Sequence, residues 1–124
     1  MRTQFHFRPS NNGFYAWDVK RLATLSKDLP VFNIDVKNLH EVDEPYWYGA
    51  GNVRPTVRDL LAHFTLIEQV DLSYPIILSS NGRLMDGMHR VAKAVMMGLA
   101  TIRAVQFTVD PEPDYVDIDP GKFE

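Results

Sequence analysis

Gly87, Met88, His89 and Arg90 stand where the sequence passes from a strand-like run to a helical one, within the stretch GRLMDGMHRVAKAVMMG. Cationic side-chain types at the positive end of a helix are an electrostatic cost unless an anion is held there. Gly87 has no Cβ to keep a ligand away from the backbone N–H groups, and Arg90 carries a planar fork of donors. Free N–H groups, the helix dipole and a guanidinium converging on one spot suit a phosphate. The same letters allow a plainer arrangement, in which Asp86 caps the helix and pairs with Arg90 while His89 is an ordinary surface residue.

Two other groups could join such a site. The loop His40-Glu41-Val42-Asp43-Glu44 holds three carboxylates close to the aromatic run Tyr46, Trp47 and Tyr48. A carboxylate beside a phosphate can act as a base or help to hold Mg²⁺, and aromatic rings stack on nucleobases. A solvated acidic loop over packed aromatics explains the same residues. Arg54 and Thr56, with Arg58 behind them, offer a second cation and a second helix start, although Thr56 as a plain N-cap accounts for its own letter. The histidines His6, His40, His63 and His89 show no metal-ligand spacing, and no protein-built metal site is expected from them.

The elements that must position these residues can be read along the chain. Phe7 to Gly13 is turn-rich, Phe14 to Val19 reads as a short strand, and Lys20 to Leu29 as a helix with Leu22, Leu25 and Leu29 on one face, ended by Pro30. Val31 to Val36 alternates like a one-sided strand, and residues 40–55 form a long loop. Thr56 to Val70 is the clearest helix: Val57, Leu60, Leu61, Phe64 and Ile67 make one apolar stripe, and Thr56 with Asp59 resembles a capping box. Ile76 to Ser79 is a buried strand, Asn81-Gly82 signals a type I′ hairpin, and Arg83 to Asp86 returns. A helix from Met88 to Met97 follows, with Met88, Val91, Ala92, Val95 and Met96 towards the core and Gly98 at C′. Ile102 to Val109 is the last strand, after which the chain leaves the domain.

Composition narrows the function classes. The chain has 124 residues, 45% hydrophobic and 23% charged, which is one ordinary globular domain. With no cysteine, disulfides, thiolate nucleophiles and cysteine-ligated zinc are excluded. No apolar run has the length of a membrane span and the N-terminus lacks the apolar segment of a signal peptide, so a cytoplasmic location is expected. The net charge is −3, and residues 110–124 hold six acids against one lysine, leaving +2 on the remainder. Duplex-DNA modules display a clear basic excess, so strong autonomous DNA binding is not expected.

From Pro75 to Phe107 the sequence resembles the ParB/sulfiredoxin superfamily, and more loosely from Val31 to Leu72. The matching residues are Asp86, Gly87, Met88, His89 and Arg90 (D-G-x-H-R), then Ala92 and Ala94, then Gly98 and the strand IRAVQF. The resemblance implies a compact α+β domain over residues 31–109, with a small mixed sheet and two to four helices, an N-terminal extension (1–30) and an acidic tail (110–124). It implies that Asp86 to Arg90 bind nucleotide phosphates, with Arg54 and Thr56 bordering them. Met88 occupies the place of the sulfiredoxin cysteine, and a thioether cannot attack a phosphorylated sulfinic acid. Within 124 residues no room is expected for the helix-turn-helix and dimerisation domains of partition proteins. The expectation is therefore an ATP-, ADP- or CTP-dependent phosphotransferase or nucleotide hydrolase using Mg²⁺. A small-molecule acceptor would lose its proton to Glu41 or Glu44, with His89 at the phosphate. The alternatives are a nucleotide-binding or DNA-associated module that works with a protein partner, and a ParB-like nuclease.

Overall fold

The computed structural model describes residues 4–48 and 55–122. Strands β1 (Phe5–Pro9) and β2 (Phe14–Asp18) form a hairpin, followed by helix α1 (Val19–Ser26) and strand β3 (Phe32–Asp35). Two 3₁₀ turns (Val36–Asn38 and His40–Asp43) lead towards α2 (Val57–Gln69). Then come β4 (Ile76–Leu78), β5 (Leu84–Asp86), α3 (Met88–Met96), β6 (Thr101–Gln106) and β7 (Tyr115–Ile118). The fold is α+β, with a mixed sheet in the order β3-β6-β4-β5 and an antiparallel sheet in the order β1-β2-β7.

β4 is buried along its whole length, and its successive side chains point to opposite faces. Ile76 and Leu78 join one core with Met88, Val91 and Ala94 of α3, while Ile77 joins a second with Trp17, Leu22, Met85 and Phe107. The mixed sheet is thus covered on both sides, by α3 on one and by α1 with Trp17 on the other. β6 lies parallel to β4, and α3 makes the crossover between the β4–β5 hairpin and β6.

Local chemistry explains most boundaries. Asp18 caps α1 by accepting from the Lys20 N–H. Thr56 and Asp59 form a reciprocal capping box at α2. Gly98, with φ +69°, closes α3 in a Schellman arrangement: the Leu99 N–H reaches the Ala94 carbonyl, and the Gly98 N–H that of Val95.

The structure departs from the sequence reading in five places. Phe5–Pro9 is a strand, and only Ser10 to Gly13 turns, closed by the Ser10 N–H on the Gly13 carbonyl at 2.9 Å. The hairpin turns over Ser79 to Gly82, closed by the Gly82 N–H on the Ser79 carbonyl at 2.9 Å with Gly82 at φ +85°, and it is not type I′, because Asn81 keeps a negative φ. α3 turns Met88, Val91 and Ala94 inward and leaves Val95 and Met96 exposed. The apolar stripe of α2 faces outward: Val57 is 73% exposed, Leu61 59%, Phe64 49% and Leu60 43%, and only Ile67 is buried. Periodicity locates an apolar face but does not say what the face meets.

The acidic tail is the fifth departure, since it folds back onto the N-terminal hairpin. β7 pairs with β2, and the Trp17 Nε1–H donates to the Pro111 carbonyl at 2.8 Å. Asp110 accepts from the Ser80 N–H at 2.7 Å and from Arg8, and Asp114 accepts from the Asp18 N–H at 2.8 Å and from Arg21. Acids that read as free charge in the sequence are acceptors for specific donors. Removing residues 110–124 is accordingly expected to lower the urea midpoint of unfolding. Leu22→Ala is expected to cost about 2–5 kcal/mol in the same measurement, as for other fully buried leucines.

Candidate functional site

The centre of the site is the start of α3. Gly87 is the N-cap residue at φ 113° and ψ 21°, a left-handed conformation that side chains rarely adopt, and no side chain caps this end. A Cβ here would stand 2.7 Å from Ile76 Cγ2. The glycine is therefore required by the packing of β4 as well as by its own backbone.

Asp86 ends β5 just before it. Its carboxylate accepts from Arg90 Nη2 at 3.1 Å and from the Gly87 backbone, and both side chains of the ion pair are largely covered. Burial raises the Asp86 pKa, and the nearby Arg90 opposes the rise. Arg90 Nε is buried with no hydrogen-bond partner. The Asp86–Arg90 pairing of the plainer sequence reading is thus present, and it leaves one donor of the fork unspent.

His89 is no plain surface residue. Trp47 stacks on His63 with centroids 4.0 Å apart and 12° between the rings, and on His89 at 4.8 Å and 21°. His63 Nδ1 and His89 Nε2 are 2.8 Å apart, so one imidazole donates to the other. Burial, then the neighbouring His63 and Arg90, lower the His89 pKa to about 4. At neutral pH His89 carries no charge, and the helix start is spared one of the two cations that the sequence places there.

The acidic loop reaches this region but spends its carboxylates elsewhere. Glu41 is buried, accepts from the Leu84 N–H and lies 3.5 Å from Arg83 Nε. Glu44 takes a bidentate grip from Arg83, at 2.8 and 3.0 Å, and this hydrogen bonding lowers its pKa. Between them Tyr46 donates to the Leu84 carbonyl at 3.4 Å. With Glu44 bonded through both oxygens and Glu41 held by Leu84 and Arg83, these glutamates do not fit a Mg²⁺ site in this arrangement.

The structure therefore brings together Asp86, Gly87, His89 and Arg90 and sets Glu41 and Glu44 against Arg83. Met88 is a core residue, and the Thr56 hydroxyl is occupied by the Asp59 N–H. Arg54 lies outside the described residues. Sequence reasoning missed His63 and Arg83. Position offers a signal for His63, which lies off the line of Val57, Leu61 and Phe64 on α2, but Arg83 is one arginine after a turn and carries none.

Stability should depend on pH through two imidazoles. His6, buried and beside Arg8, also has its pKa lowered to about 4. For both, the folded-state value lies below the unfolded 6.5, so their contribution is complete above that pH and is lost as pH falls towards 4. The urea midpoint is expected to drop across this window, and His89→Gln to flatten part of the slope. NMR titration giving 6.5 for both imidazoles would contradict these environments. Compared with protein-family models, curated proteins and solved structures, the chain has no match in any of the three, so the chemistry of the site rests on its own geometry.

Proposed function

We propose that the chain is a nucleotide-binding domain of the ParB/sulfiredoxin type that takes a phosphate at the start of α3. The observation that carries this reading is the side-chain-free cap at Gly87, with the guanidinium of Arg90 beside it and its Nε unpartnered. Backbone N–H groups of the first turn and one arginine fork form an anion site of the kind helix N-termini provide. The order of hairpin, Gly87, helix, Gly98 and strand supports the resemblance drawn from the sequence. The Trp47–His63–His89 stack forms the aromatic wall beside the phosphate. Cytosolic nucleotides are the ligand class, and a cytoplasmic site of action goes with them.

Binding is favoured over turnover by a second observation. In the enzyme reading Glu41 or Glu44 takes the acceptor's proton, and Arg83 engages both. Sulfiredoxin chemistry is excluded by Met88, a buried thioether.

A thermal-shift series with ATP, ADP and CTP, with and without Mg²⁺, tests the reading, because a ligand of the folded state raises its stability. At least one is expected to raise the melting temperature. Arg90→Lys should weaken that nucleotide about ten- to hundredfold, the equivalent of one charge-assisted hydrogen bond. Glu44→Gln should leave binding unchanged. Gly87→Ala is a poor probe, since its methyl group meets Ile76 before it meets any ligand. No shift with the nucleotides or with inorganic phosphate would remove the proposal.

A further inference from the structure

The outward face of α2 is an apolar stripe that the described fold leaves exposed. A helix of 13 residues is marginal by itself, and helices in proteins draw most of their stability from an apolar face packed against something. α2 is held through Ile67, through the His63–His89 contact, and through Lys93 Nζ, which donates to the carbonyls of Glu68 and Val70 at 3.2 and 2.8 Å. These anchors lie in its middle and at its C-terminal end. Val57, Leu60, Leu61 and Phe64 remain exposed. At 100° per residue Val57, Leu61 and Phe64 fall in one line, with Leu60 at its flank.

We infer that this stripe is the contact surface of a homodimer, in which α2 pairs antiparallel with α2 of a second copy about a two-fold axis between Leu61 and Phe64. The charges on the helix favour a second copy over an unlike partner. Glu68 lies in the line of the stripe at its C-terminal end and Arg58 on its flank at the N-terminal end, both exposed. An antiparallel two-fold sets each Arg58 beside Glu68 of the second copy, so the surface is complementary to itself. Leu61 meets Phe64 of the second copy in the middle, where water is excluded. One pair of helices three to four turns long falls short of the ~800 Å² per partner of a standard interface, so the dimer belongs to the weak, dissociating class. His63 lies off this stripe and stays on His89.

Sedimentation velocity of the full chain over a series of micromolar concentrations is expected to show a monomer–dimer equilibrium. Leu61→Glu should abolish the dimer while circular dichroism and the melting transition show a folded chain. Should Leu61→Glu fail to fold, charge exchange decides. Arg58→Glu or Glu68→Arg alone should weaken the dimer about three- to tenfold, and the double exchange should restore it, because two exposed ion pairs are broken and then remade. A chain that stays monomeric throughout the series, a dimer that survives Leu61→Glu, or a double exchange no tighter than either single variant would each overturn the inference.

Discussion

The burial of Ile76, Ile77 and Leu78 on both faces of one sheet is the constraint on which the rest of the structure depends. A three-residue strand with water on neither side must be covered twice, and the two covers come from opposite halves of the chain. α3 covers the face of Ile76 and Leu78; α1 and Trp17 cover that of Ile77. The same strand fixes the candidate site, because the Ile76 side chain occupies the space that any Cβ at residue 87 would need. The left-handed turn into α3 is therefore tied directly to the central packing of the fold.

Charge is arranged around that core by pairing. Arg83 engages Glu41 and Glu44, Arg90 engages Asp86, and Arg8 and Arg21 engage Asp110 and Asp114. The more exposed of these pairs add little stability individually, but each joins segments distant in sequence and so fixes where a loop or terminus lies. Imidazole is handled differently: His6 and His89 give up their charge to burial. A net charge of −3 conceals this division between paired cations and neutral rings.

The sequence made the α+β class legible, along with the Thr56–Asp59 box, the strand Ile76–Leu78, the helix opening after Gly87 and the glycine stop at residue 98. These features are set within a few residues of chain, by caps, turns and runs of apolar residues. What stayed hidden depends on contacts across the fold. The β1 strand exists because β2 lies beside it, the tail is ordered because its acids find Arg8, Arg21 and backbone N–H groups, and the neutrality of His89 needs Trp47 and His63 stacked on it. That Arg83 stands between the two loop glutamates is likewise a contact across the fold. The stripe of α2 was legible as a pattern, whereas its direction was not.

β3 and β5 are the edges of the mixed sheet, where unpaired backbone groups template a foreign strand, and on β5 the groups of Leu84 are taken. The backbone N–H of Leu84 is occupied by the Glu41 carboxylate and its carbonyl by the Tyr46 hydroxyl, so the two groups that would start a new ladder are satisfied by side chains. A carboxylate is well suited to this, since it accepts as a backbone carbonyl does and yet cannot be extended into a further strand. Glu41 and Tyr46 thus take up, at Leu84, the backbone groups through which this edge would otherwise extend the sheet.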